Sequence, residues 1–227
     1  MSVHLQPIPL FPLDVVLFPG MVLPLHIFED RYRQMVRDCM IRGETFGMVW
    51  TENEHVELLP DRPLIGTKAM MTEIMPFPDG RFNINTVGSE RFMVHELSQQ
   101  EPYVVGSIEP FPSIGGDSGS AQHYMKTLTG LFTTYMALLG ETMGQEVTLD
   151  PLPDDPMILS FIVAILYQCQ NWRKQELLSI RSIPELMSCE IEILRIENPL
   201  LRDALQMREM DRMAPLIVGS LAIYGLN

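Results

Sequence analysis

The chain has 227 residues and a mass of 25.9 kDa, enough for one large domain or two small lobes with an apolar core. Lys and Arg number 16 against 29 Asp and Glu, a formal net charge of -13, which counts against non-specific affinity for nucleic acid or anionic membrane. The excess is shared, with 8 basic and 15 acidic residues in 1–113 and 8 and 14 in 114–227, and 46% apolar with 20% charged residues describes a folded chain.

The opening residues, MSVHLQPIPLFPLDVV, have no basic stretch ahead of an apolar one and are interrupted by Pro7, Pro9 and Pro12, so no signal peptide is expected. Within this N-terminal region Pro12, Pro19 and Pro24 remove amide donors at fixed points and predict short edge strands and bends, with a turn at Pro19-Gly20. Apolar residues at helical spacing (Tyr32, Met35, Val36, Cys39, Met40) predict a helix over Asp30–Gly43, with Gly43 to end it and Phe28 and Tyr32 to clamp it to the sheet. Strand-like stretches follow at Phe46–Trp50, Ile65–Ala69, Arg81–Val87, Arg91–Val94 and Tyr103–Ile108, with a hairpin turn at Pro78-Asp-Gly80.

Gly115 to Ser120 is a run of small flexible residues that reads as a linker. Beyond it, Tyr124, Leu128, Leu131, Tyr135 and Leu138 form one helical stripe, and Asp154-Asp155-Pro156 supplies a cap and a first-turn proline for an apolar helix ending near Gln170. The segment Arg173–Ile180 leads to Ser182 and Glu185, whose capping-box spacing opens a long helix that Pro199 should kink or split. The longest apolar run, Met157 to Tyr167, is far shorter than the roughly 20 residues of a membrane span. The division expected is a β-rich lobe with one helix at 1–113, a linker at 114–120, a helical lobe at 121–213, and an apolar tail at 214–227 packed on its own domain or on a second copy.

A search for chemistry returns little. The chain has no phosphate-binding glycine loop, no G-x-S-x-G elbow and no C-x-x-C pair, and His4, His26, His55, His95 and His123 fall at no compact metal-ligand spacing. Asp154 with Asp155, and Glu29 with Asp30, precede helices and read as caps and not as an acid/base pair. Cys39, Cys169 and Cys189 are odd in number and widely spaced, which reads as reduced thiols of a cytoplasmic protein. No cofactor, metal or catalytic residue is expected. Seventeen methionines suit a surface for varied apolar partners, although Met35, Met40, Met125, Met136, Met187 and Met207 lie where helix packing is the default.

The most specific signal is the run Ile8-Pro-Leu-Phe-Pro-Leu-Asp-Val-Val-Leu-Phe-Pro-Gly-Met-Val-Leu-Pro-Leu-His-Ile-Phe-Glu-Asp-Arg-Tyr-Arg-Gln-Met35. It resembles the opening of the Lon protease N-terminal domain family, and further matches follow in order at Phe46–Val49, Ile65–Thr67, Asp79–Arg81, Gly88-Ser-Glu-Arg-Phe92 and Pro102-Tyr103. In the helical half, Lys174–Leu178 and Glu190–Leu194 look like the same family's last helices. The resemblance implies an α+β fold, with an N-terminal β-rich lobe similar to the PUA-like pseudo-barrel and a C-terminal helical bundle. In full Lon proteases this region precedes an ATPase and a serine-lysine peptidase. The expectation is therefore a stand-alone, non-enzymatic, substrate-binding part of protein quality control.

Its expected ligand is unfolded or exposed apolar polypeptide, with an ATP-dependent protease as a candidate partner and a monomer or homodimer as its state. Phe11, Phe18, Met21 and Tyr32, in or beside the signature, are the candidate polypeptide-binding residues. The alternative is RNA binding through the PUA-like lobe, for which Arg31, Arg33, Arg37 and Arg42 would supply a patch, although Glu29, Asp30, Asp38 and Glu44 are interspersed with them. Either Arg31 or Arg91 is placed to pair with Glu29.

Overall fold

The computed structural model describes residues 5–53, 55–59, 63–145, 147 and 151–223, with side chains as far as Arg208. The chain divides into two compact units, one of Met1–Ile114 with Ser160–Ile183, the other of Gly115–Leu159 with Pro184–Asn227.

The first unit is built on six strands, β1 (Gln6–Leu13), β2 (Val22–Ile27), β3 (Phe46–Trp50), β4 (Leu64–Pro76), β5 (Phe82–Ser98) and β6 (Val105–Pro110). They hydrogen-bond in the order β2-β5-β4-β3-β1-β6, and β6 pairs again with β5, closing five of the strands into a barrel with β2 left at the edge. β5 can serve two partners because it is 17 residues long: its first part, Phe82–Val87, pairs with β2, and its second, Phe92–Ser98, pairs with β6. The two stretches expected as separate strands, Arg81–Val87 and Arg91–Val94, are thus one. Among the described strand pairs, β1 with β3 is the parallel one.

Prolines sit differently from the expectation of edge strands. β1 lies inside the sheet, yet its residues Gln6–Pro9 pair with β6 and Leu10–Leu13 with β3. Each half of β1 therefore has one unpaired side, where Pro7, Pro9 and Pro12 are tolerated without a missing ladder bond. Pro24 does lie on the edge strand β2. The Pro19-Gly20 turn forms as expected, with Gly20 at φ 80° and the Met21 amide donating to the Phe18 carbonyl at 3.1 Å. The Pro78-Asp-Gly80 turn joins β4 to β5, with Gly80 at φ 85°.

Helix α1 (Asp30–Arg42) matches its expected span, and Gly43 at φ 66° terminates it in the left-handed conformation. It buries Tyr32, Met35, Val36 and Cys39 against a core that includes Phe11, Leu17, Ile27, Phe46, Phe82 and Ile84. A second core, around Leu10, Val49, Phe92, Val94 and Ile108, fills the other part of the barrel. Burial pushes the Cys39 thiol up to about 11, and the nearby Glu44 and Asp38 carboxylates add to it. Cys39 is accordingly expected to resist a thiol reagent at neutral pH in the native protein and to react only once urea unfolds it; mass spectrometry showing fast native labelling would contradict this.

Helix α4 (Asn171–Ser179) belongs with the strands, so the first unit takes in Ser160–Ile183 as well as the residues up to Ile114, next to the boundary expected at 113. Polar side chains hold it there. The Gln175 amide donates to the Ile65 carbonyl at 2.9 Å, the Asn171 amide to the Asp14 carbonyl at 2.8 Å, and Arg91 of β5 to the carbonyls of Leu178 and Ile180, each at 2.6 Å. The start of the expected linker pairs back as well, through a bridge between Ile114 and Ser182.

In the second unit, Ser118 caps α2 (Gly119–Met143) by accepting from the Ala121 amide, so the expected linker ends in a helix start. The buried side of α2 is Leu128, Phe132, Tyr135 and Met136; Tyr124, Leu131 and Leu138 of the expected stripe are half-buried flanks. Asp155 accepts from the Ile158 amide at 2.9 Å at the start of α3 (Pro156–Leu166), which ends four residues before Gln170. The division between the units falls within α3, after Leu159. Helix α5 (Ile183–Ile223) is continuous past Pro199, so the expected split does not occur. One proline removes a single i→i−4 bond, and the helical turns on both sides remain intact. Asn198, 5% exposed, donates to the Leu131 carbonyl at 3.0 Å beside that gap. The packing of the tail after Met213 lies outside the described side chains.

Candidate functional site

The register of β2, β5 and β4 separates two faces. Inward rows are Leu23–Thr86–Met71, Leu25–Ile84–Ile74 and Ile27–Phe82, which join the α1 core or border it, while Pro76 opposite Phe82 is exposed at the end of β4. Outward rows are Val22–Val87–Met70, Pro24–Asn85–Glu73 and His26–Asn83–Met75. A shift in register between Met71 and Glu73 keeps β4 in phase with its partner across this patch.

The outward face is apolar at both ends. Val22, Phe28, Met70, Met75 and Phe77 are between 38 and 63% exposed. His26 stacks on Phe28 with ring centroids 6.0 Å apart and meets Phe77 edge-on at 6.1 Å, which gathers three rings beside Met75. Between the apolar ends lies a polar belt, in which Asn83 meets His26 at 2.6 Å and the Asn85 amide donates to Glu73 at 2.8 Å. From Val22 to Phe28 is six residues, about 20 Å of extended chain. The surface thus offers flexible thioethers and ring faces at the ends of a strip with amide groups in its middle, chemistry suited to an extended polypeptide.

The sequence-predicted site residues lie elsewhere. Phe11, Phe18 and Tyr32 are core side chains. Phe11 meets Tyr32 edge-on at 4.4 Å and Phe46 at 5.9 Å, and Phe18 faces Phe161 at 6.4 Å. Met21 is half-buried against the same core. Phe28, expected to clamp α1, is instead exposed on the outward face. Sequence reasoning missed Val22, Met70, Met75 and Phe77; the alternation Leu23, Leu25, Ile27 against Val22, Pro24, His26 was the available signal for the β2 part.

The arginines of α1 are largely engaged. Arg31 pairs with Glu29 at 2.8 Å and Arg33 with Asp30 at 2.8 Å, while Arg33 also holds the Asp79 and Gly80 carbonyls of the β4–β5 turn. Arg31, and not Arg91, is therefore the partner of Glu29. Among the described residues, no group of three or more His, Cys, Asp or Glu is placed to hold a metal ion, and no helix is long and apolar enough to cross a membrane.

A barrel closed through one long strand, followed by helices, defines an α+β module with an N-terminal β lobe. The chain belongs to the family of ATP-dependent protease La (Lon) substrate-binding domains, whose pattern matches residues 7–195. It is 26% identical over 214 residues to a Lon protease of Flavobacterium johnsoniae and 24% identical over 201 residues to that of Escherichia coli, matches that take in 85% and 84% of this chain. The chain spans about a quarter of the length of these curated relatives, 25% and 26%. Two solved structures share the fold. A Lon N-terminal domain protein from Xanthomonas campestris aligns with a TM-score of 0.56 at 24% identity, over 81% of this chain and 95% of its own. The N-terminal domain of Lon protease from the Mycobacterium avium complex aligns at 0.62 and 14% identity, over 84% of this chain and 98% of its own.

Proposed function

We propose that this chain is a recognition module that binds unfolded or exposed apolar polypeptide on the outer face of β2, β5 and β4, without covalent chemistry of its own. The observation that carries the reading is the exposed set Val22, Phe28, Met70, Met75 and Phe77, on a sheet whose opposite face is core. Exposed apolar clusters of this kind, rimmed by polar residues, mark interaction sites. The family's description as the substrate-binding domain of an ATP-dependent protease supports polypeptide as the occupant and such a protease as the partner that receives it. Side-chain burial would supply the affinity, and the exposed β2 edge contributes less because Pro24 interrupts its amides.

The test is a fluorescence titration with a reduced, alkylated polypeptide. Replacing both Met75 and Phe77 by serine is expected to weaken binding about tenfold or more, with an unchanged circular dichroism spectrum because both side chains are exposed. Unchanged affinity in that variant would sink the reading. The RNA alternative draws no support from α1, since Arg31, Arg33 and Arg42 each sit beside a carboxylate.

A further inference from the structure

The first unit also contains a cavity of about 380 Å³, lined by the end of β3, residues that follow it, the start of β4, and α4. It is separate in residue content from the outer sheet face. Trp50 and Leu64 give it apolar wall, and Glu52 and Glu57 give it carboxylates. The Trp50 indole is held in place by donating to Asp14 at 3.0 Å. Among the described lining residues none is lysine or arginine and His55 is the one histidine, and the sequence from 50 to 64 carries Glu52, Glu54, Glu57 and Asp61 against Arg62 and His55.

Two further lining residues each carry an oxygen without a partner. Gln175, 7% exposed, spends its amide nitrogen on the Ile65 carbonyl, and its buried Oε1 accepts nothing; the buried Thr51 hydroxyl is likewise unbonded. Buried polar atoms in folded proteins are nearly always satisfied, so an unfilled acceptor in a cavity wall points to a donor from outside. An aromatic ring, two carboxylates and an unused amide oxygen, with the His55 imidazole the one basic side chain among the described lining residues, together select a cation on an apolar stem.

We propose that this cavity receives a basic side chain, arginine in preference to lysine, from the polypeptide the module binds. The stem lies along Leu64, the planar guanidinium stacks on Trp50, and its N–H groups donate to Glu52, Glu57 and Gln175 Oε1 after a small side-chain adjustment. Arginine is favoured because its fork addresses several acceptors at once and is more weakly hydrated than an ammonium. The inference rests on the polypeptide reading and gives it a sequence preference: apolar segments punctuated by arginine. The acidic balance of the chain, -13, favours the same partners at long range.

Two short labelled apolar peptides, identical except for one central arginine replaced by its neutral isostere citrulline, test this by fluorescence anisotropy against the full chain. The arginine peptide is expected to bind about tenfold tighter. That preference is expected to vanish in the variant Glu52→Gln with Glu57→Gln, whose fold is safe because both carboxylates are exposed. Equal affinity of the two peptides for the native chain overturns the cavity assignment and leaves the polypeptide reading standing. A preference that survives in the double variant overturns it as well. Binding of neither peptide removes the polypeptide reading, and the cavity's role with it.

Discussion

Replacing Arg91 by methionine is expected to destabilise the protein by about 3–4 kcal/mol, seen as a lower urea midpoint with an unchanged slope. Arg91 sits on β5 and is 3% exposed. One terminal nitrogen donates to the carbonyls of Leu178 and Ile180, the other to the Ser113 hydroxyl at 2.8 Å, and the guanidinium lies 5.2 Å from the ring of Phe111 and 5.4 Å from that of Phe161. Among the described residues it forms no salt bridge. Its charge is met by carbonyl dipoles and ring faces, and burial, with Arg181 a smaller contributor, lowers its pKa to about 10. Methionine keeps the apolar stem but strands two carbonyls at the end of α4. Arg91→Lys is expected to recover less than half of the loss, because one ammonium cannot address three divergent acceptors. A loss below about 1 kcal/mol for Arg91→Met would show that α4 is held by other contacts.

Gly88→Ala is expected to cost about 2–3 kcal/mol or to prevent folding. A Cβ at this position would lie 2.1 Å from the Phe18 carbonyl oxygen and 3.0 Å from its carbon. Those are backbone atoms, and they cannot retreat. The Gly88 amide donates to the Met21 carbonyl at 2.9 Å, and the Gly88 carbonyl accepts from Gly20 at 2.8 Å, which fixes the two segments against each other. The demand is therefore for close approach and not for an unusual dihedral. Gly130→Ala, exposed in α2 with no atom within 4 Å of the new Cβ, is the control with opposite sign. It is expected to stabilise by about 0.5–1 kcal/mol. Equal effects at the two positions, measured by thermal unfolding, would refute the steric account. The outer sheet face depends on Gly88, since this contact holds the Phe18–Met21 turn that leads into β2.

Both residues come from the stretch Gly88-Ser-Glu-Arg-Phe92, which was conspicuous in the sequence while its purpose was not. Phe92 completes it: a Cβ on Gly47 or Gly66 would lie 2.6 or 2.5 Å from its ring, so the aromatic residue and two distant glycines form one packing unit. Nothing local in the chain announces that association.

Local rules were enough wherever the deciding atoms are near in sequence. Helix α1 could be bounded at Asp30 and Gly43 because periodicity and a left-handed cap act over a few residues, and Asp155 could be recognised as a cap three residues before the amide it accepts. The α+β class, the N-terminal strands and the family were legible for the same reason, being carried by one long ordered run of prolines, aromatics and glycines. Hydrophobicity likewise said that Phe11, Phe18 and Tyr32 matter, but it could not separate a side chain that folds the lobe from one that greets a ligand. That distinction depends on which strand pairs with which. Strand register sends Leu23 and Leu25 inward and leaves Val22 outward beside Met70, and it puts Met75 near Phe77 and His26. The placement of α4 is nonlocal too, set by hydrogen bonds from Gln175 and Arg91 that span 110 and 87 residues of sequence. The sequence by itself determined the kind of module and the elements it is made from. Tertiary structure decided which apolar residues remain in water, because exposure is a property of what a residue's neighbours cover.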